Sequence, residues 1–328
     1  MHAGKVIGDL DVSFATLTFP LVFRRCRFND NATLRHLRTP ELNLQGSWTR
    51  SLDADGAIVT GSVYLSDGFS AEGEVRLRGA QIGGVLACGG STFKNPGGNT
   101  LRADRIKVVG SVFFRNKFSS EGGVRLFGAE IGGNLDCSDS SFKNSPGKAL
   151  HAEHAKIGGS VFLRDGFLAE GEVRLLGAKI GSNLSCINGR FENPNGKALS
   201  ADHVEVAGSL FLRNGFLANG EVRLFGARVG SNLDCDGGEF KNPGGKALHA
   251  EHINVEGSLL LREEFLARGE VGLLAKIGGN LSCINGTFEN PDDRALSADH
   301  VEVTGSVFLR NGFLAEGEVR LFGARDLA

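Results

Sequence analysis

Proline is scarce in this chain, with 7 residues against 48 glycines. That balance excludes a collagen-like triple helix and favours many tight turns between short strands. Long hydrophobic runs are missing as well: no window approaches the roughly 20 apolar residues of a membrane-spanning helix. The apolar piece Phe19-Pro20-Leu21-Val22-Phe23 is short and runs straight into Arg24 and Arg25. The N-terminal residues 1–9 lack the basic segment and apolar run of a secretory signal, so a soluble, cytoplasmic protein is expected. Neither sign of charge dominates. With 36 basic and 38 acidic residues the formal net charge is −2, which offers no bulk attraction to nucleic acid or anionic lipid. No stretch of about 10 to 15 residues keeps the 3.6 spacing of an amphipathic helix.

What is present is repetition. Phenylalanine recurs at about every 24th or 25th position, through Phe69, Phe93, Phe118, Phe142, Phe167, Phe191, Phe216, Phe240 and Phe265, with one shorter step to Phe288 before Phe313. A period of this length identifies a stack of coils, so the chain counts as one elongated domain despite its 328 residues. A longer unit of about 49 residues, two coils in length, is marked by Gly61-Ser62, Gly110-Ser111, Gly159-Ser160, Gly208-Ser209 and Gly257-Ser258. The next marker, Gly305-Ser306, arrives one position early. The missing residue lies where Leu273-Leu274-Ala275-Lys276 replaces Leu175-Leu176-Gly177-Ala178-Lys179.

Each unit holds two unlike halves, one coil each. Apolar residues two apart, as in Val204/Val206 and Leu210/Leu212, give strand periodicity. Asp165-Gly166, Asn188-Gly189, Asn214-Gly215 and Asn311-Gly312 supply turns that need positive φ. The expected fold is all-β, a β-solenoid of about 13 coils of about 24 or 25 residues, stacked at about 4.8 Å with two coils per repeat. Residues 1–55 form divergent N-terminal coils or a cap, 56–324 the regular solenoid and 325–328 a tail. The chain stops in mid-coil, which leaves an open strand edge available for end-to-end pairing.

Cys88, Cys137, Cys186, Cys235 and Cys283 recur two coils apart. Neighbours in that row are separated by about 9.6 Å, beyond the roughly 7 Å reach of a disulfide, so each is a small buried hydrophobe. His154, His203, His252 and His300 each follow an acid. They too lie too far apart to share one metal ion, whose ligands sit within about 2.2 Å of it. A solvated polar face is expected, with Arg105 taking the place of His in an earlier unit. Lys148, Glu172, Lys197, Glu221, Lys246, Glu270, Arg294 and Glu318 alternate in sign along successive coils, as a device for stack register. Arg115, Arg164, Arg213, Arg262 and Arg310 form a row paired with acids, and Asn95-Pro96, Asn193-Pro194 and Asn242-Pro243 mark protruding corners in alternate coils.

Near the N-terminus, Phe14-Ala15, Phe23-x-x-Cys26-x-Phe28, Ala32-x-Leu34 and Leu42-x-Leu44 step in fives. This resembles the pentapeptide-repeat style of right-handed β-helix, and the resemblance implies right-handedness. Phrases such as Gly208-Ser209-Leu210-Phe211-Leu212-Arg213 and Gly220-Glu221-Val222-Arg223-Leu224, over positions 50 to 324, resemble a bacterial repeat family whose members are often labelled membrane-associated oxidoreductases. A coil of the length set by the phenylalanines exceeds four fives, so the extra residues belong in one corner.

No dinucleotide fingerprint, Walker motif, nucleophile elbow or His-Glu-x-x-His occurs. No residue is assigned a catalytic, cofactor-binding or metal-binding role, and no cofactor is expected. Only residues 1–55 are read as breaking the repetition, with Cys26, His36 and Trp48 among Arg24, Arg25, Arg27, Arg35 and Arg38. They are read as a capping coil. The leading function is a non-catalytic scaffold or protein-interaction module that self-associates through its ends, as a dimer or filament. One alternative is the DNA-mimicking, topoisomerase-binding role that the pentapeptide resemblance implies. Another is the oxidoreductase activity that the family label implies.

Overall fold

The computed structural model describes residues 2–326. They divide into two compact units, Met1–Phe162 with Leu168–Glu170, and Leu163–Phe167 with Gly171–Ala328. Each unit is a parallel β-solenoid, and no helix occurs among the described residues. None is therefore long and apolar enough to cross a membrane.

Every coil contributes to three parallel faces. On the first, two-residue strands pair a charged outward residue with a buried Ile or Val, as in Lys107–Val108, Glu130–Ile131 and Lys156–Ile157 of the first unit. Counted on this face, the first unit has six strands and the second seven, matching the coil number expected from the phenylalanine period. On the second face Leu or Val points inward, as in Leu210–Phe211 and Leu233–Asp234. The third face alternates long strands such as Arg190–Ser200 with shorter ones such as Leu217–Arg223. Their register shifts between Glu192 and Lys197, which places the extra residues at the Asn-Pro corner.

The Gly-Ser phrase has a structural purpose. Ser111 Oγ accepts the N–H of Asn134 (2.9 Å), and Asn134 Oδ1 accepts the N–H of Ser160 (2.8 Å). In the second unit the N–H of Ser209 donates to Asn183 Oδ1, that of Ser258 to Asn232 and that of Ser306 to Asn280, each at 2.8 Å. Ser258 Oγ accepts the N–H of Asn280 at 3.0 Å. Side chains thus satisfy backbone donors at a bend that has no strand partner for them.

The phenylalanines are buried and stacked. In the second unit ring centroids from Phe191 to Phe216, Phe216 to Phe240 and Phe240 to Phe265 lie 5.2, 5.1 and 5.2 Å apart. Burial of each ring contributes about 1.5 to 3 kcal/mol, with a further gain from the tilted ring contacts.

Positions 2 to 55 join the same three sheets, but the third is here split into two rows of short strands, one through Arg27 and Trp48 and one through Ala32 and Leu52, which merge in Thr92–Arg102. Lys5 pairs Arg27, Leu21 pairs Leu42 and Arg38 pairs Ile58, so the coils here are shorter than those of the regular repeat and come close to four steps of five. Of the expected tail, Arg325–Asp326 pairs with Glu302–Val303, and 327–328 lie outside the described residues.

Candidate functional site

All six cysteines are buried, and among the described residues there is no disulfide. Burial pushes the thiols of Cys88, Cys137, Cys186 and Cys235 far above their usual range, and that of Cys283 up to about 12. A thiol that does not ionise is neither nucleophile nor metal ligand. Cys186 follows the strand Leu184–Ser185, which pairs with Leu210–Phe211, and its N–H donates to Phe211 O.

His154, His203, His252 and His300 are exposed, as expected of a polar face, but their backbone is unusual: φ is 54°, 54°, 58° and 54°. They hold the left-handed position of a two-residue turn that leads into the Ile/Val face. One coil on, glycine takes that position. At Gly226 (φ 63°) a Cβ would approach His203 Nδ1 to 2.6 Å, so the imidazole occupies the space a side chain would need. His203 and His252 both pack edge-on against Phe225, with centroids 5.7 and 5.1 Å away. In two of these turns the acid before the His caps the next coil: Asp202 Oδ1 accepts the N–H of Phe225 and Asp299 Oδ1 that of Phe322.

This explains the shortened unit. The residue lost after Leu274 is the left-handed glycine itself, and the chain runs directly into the strand Ala275–Ile277.

Two other histidines, His151 and His249, are the buried ones, and sequence reasoning did not separate them from the exposed row. His249 Nδ1 lies 3.0 Å from Glu221 Oε1 and its Nε2 3.2 Å from Glu251 Oε2, while Lys246 Nζ holds Glu251 Oε1. His151 Nε2 faces Glu153 Oε2 at 2.8 Å. Burial opposes the charge on Glu221, but the hydrogen bond and charge of His249, with Arg223 and Lys197, hold its carboxyl below the usual range. Burial likewise opposes the charge on Glu251, which Lys246 and His249 outweigh. The cluster lies beside Gly272, which replaces the arginine found at Arg174, Arg223 and Arg320. Where Arg223 pairs with Asp202 (2.7 Å), the coil without that arginine uses Lys246 on Glu251 instead. The repeat is therefore broken here too, and not only over positions 1–55.

The charge rows are self-neutralising. Lys197 pairs Glu221, Lys246 pairs Glu270 and Arg294 pairs Glu318 in backbone register, as the alternation predicts. Arg294 and Glu318 also form an ion pair (3.6 Å), whereas Glu221 turns to His249 and Lys246 to Glu251. A second alternating row went unread in the sequence. It lies on the Ile/Val face, where Lys107–Glu130, Lys179–Glu205 and Lys276–Glu302 close at 3.3, 2.9 and 3.1 Å. Of the arginine row, Arg213 meets Asp234 (2.7 Å), Arg262 meets Asp236 (2.7 Å) and Arg115 meets Asp136 (3.4 Å). Arg310 lies over the Phe308 ring at 4.7 Å.

At the protruding corners Asn95, Asn193 and Asn242 each donate Nδ2–H to the carbonyl four positions on, at 2.7, 2.8 and 2.9 Å, which closes the loop on itself. In the first coils Arg27 stacks over Trp48 (4.0 Å) and His36 stacks on Phe14 (5.1 Å). Among the described residues no group of three His, Cys, Asp or Glu side chains is arranged to hold a metal ion. Comparison with family models, with curated proteins and with solved structures finds no match for this chain.

Proposed function

We propose that this chain is a non-catalytic β-solenoid scaffold, a protein-interaction module that associates with a second copy of itself through a coil end. The observation that carries the reading is an apolar strip on the coil spanning Val307 to Phe322. Val307, Val319 and Leu321 are 42, 37 and 37% exposed, while Leu210, Val222 and Leu224, their counterparts two repeats earlier, are fully buried. Leu314 and Phe322 add to the strip at 49 and 70%. Exposed apolar side chains grouped in this way favour burial against a partner surface.

The fold family implied by the N-terminal five-residue steps suits the same role. The topoisomerase-binding alternative needs an acidic face, and here acids are met by bases, as Asp234 by Arg213. The oxidoreductase alternative rests on the repeat resemblance alone. Residence in the cytoplasm belongs to the proposal, because six buried thiols suit a reducing compartment.

Light scattering coupled to size exclusion, from micromolar to submillimolar concentration, tests it. A dimer or larger assembly that V307K/V319K converts to monomer is the expected outcome. A monomer across the whole range overturns it.

A further inference from the structure

The corner that carries the exposed histidines is where the first unit departs from its own repeat. Successive coils there read Asp55-Gly56, Arg78-Gly79, Asp104-Arg105 and Phe127-Gly128. They stack directly: Gly56 N–H donates to Arg78 O (2.8 Å), Gly79 N–H to Asp104 O (2.9 Å) and Arg105 N–H to Phe127 O (2.8 Å). In the second unit the same two columns read Asp202-His203 followed by Phe225-Gly226, and Asp299-His300 followed by Phe322-Gly323. Arg78 thus stands where those coils place Phe, and Arg105 where they place His.

The carboxylates beside them are already engaged. Asp55 Oδ2 accepts from Arg76 Nη2 (2.7 Å) and its Oδ1 from the Arg78 N–H (2.8 Å), while Asp104 Oδ1 accepts from Arg125 Nε (2.6 Å). The guanidiniums of Arg78 and Arg105 have no hydrogen bond or ion pair among the described residues, and both residues are exposed. They line one groove of about 680 Å³ together with His36, Gly56, Gly79 and Phe127. At Gly79 no atom outside its chain neighbours Arg78 and Ala80 lies within 4 Å of the place a Cβ would occupy, so no other coil covers this glycine.

We propose that this groove binds a phosphate-bearing ligand, held between Arg78 and Arg105. A guanidinium donates in a planar fork that matches two oxygens of an oxyanion. Two forks on neighbouring coils suit a multiply charged tetrahedral group better than a single carboxylate, and the Phe127 ring supplies an apolar wall for whatever the phosphate is attached to.

Calorimetric titration of the full chain with inorganic pyrophosphate at constant ionic strength tests the assignment. The variant R78F/R105H carries the residues that the second unit itself uses at this corner, so it keeps the fold, which circular dichroism verifies. Saturable binding to the unmodified chain, weakened about tenfold or more in R78F/R105H, is expected. Succinate at the same concentration is expected to bind more weakly. Absence of binding, unchanged affinity in R78F/R105H, an equal loss in the surface variant R228A of the second unit, or tighter binding of succinate overturns the proposal.

Discussion

The ring of Phe191 packs 5.2 Å from that of Phe216, although the two residues are not opposite each other in the sheet. Phe191 pairs with Ala218 in backbone register, and Phe216 sits two positions earlier, in the turn where its N–H donates to Arg213 O. Ala218 pairs in turn with Phe240, and the chain takes a longer path from Phe191 to Ala218 than from Ala218 to Phe240. The even spacing of the phenylalanines therefore belongs to their rings and not to the backbone. Long and short coils alternate beneath a uniform aromatic column.

Removing a ring from that column leaves a cavity that a close-packed coil cannot collapse. Phe240→Ala is expected to cost about 3 to 5 kcal/mol. Because each coil contacts mainly its neighbours, hydrogen exchange should rise most between Leu210 and Glu270. Uniform loss of protection throughout the second unit would contradict this.

Gly226→Ala places a methyl group against His203 and strains a left-handed backbone, at a cost of about 1 to 3 kcal/mol. The double variant H203A/G226A removes the contact but keeps the backbone strain. A double-mutant cycle in urea should give a coupling that favours the pair. Additive costs would show that the imidazole does not occupy that space.

Inserting a glycine between Leu274 and Ala275 recreates the order Leu175-Leu176-Gly177-Ala178 and returns the turn to that coil. A gain of about 0.5 to 2 kcal/mol in urea unfolding is expected, typical of restored local geometry. A loss would mean that the direct run into Ala275–Ile277 is the better packed arrangement.

Acid should weaken the fold in two stages. Burial pushes the His151 imidazole below its usual 6.5, against the pull of Glu153, so the folded chain binds this proton less readily than the unfolded chain. Stability is then lost as pH falls below 6.5. Glu221 and Glu251 lie below their usual 4.5, so their contribution is present above that pH and lost as it falls through the depressed values. His151→Ser, the residue at Ser200 and Ser297, should flatten the melting-temperature profile between about pH 7 and 5 and leave the lower limb intact. An unaltered upper limb would rule out His151 as its source.

The thiols should be silent until coils open. Ellman's reagent at neutral pH is expected to label Cys88, Cys137, Cys186, Cys235 and Cys283 only at the rate of local unfolding, and all of them promptly in denaturant. Rapid stoichiometric labelling of the native protein would refute their burial.

Coil architecture was legible because inward residues answer to one demand, burial, and repeat at every turn. The exposed histidines, the arginine row and the Asn-Pro corners were legible as surface for the same reason. Register was not, because Phe191 and Phe216 satisfy the same aromatic column from different backbone positions. His249 was not, because its burial depends on Glu221 one coil away and on Gly272 in the next, and neither lies near it in sequence. Nor was the pairing along the Ile/Val face, where Lys179 and Glu205 meet only because a whole coil of chain returns one beside the other.

The exchange of hydrogen bonds between Ser and Asn at the bend works as a relay along the stack. Ser258 Oγ accepts from the N–H of Asn280, whose own Oδ1 accepts from the N–H of Ser306, so each side chain receives the backbone donor of the following coil. Either residue type does this, and the bend passes alignment forward from one coil to the next.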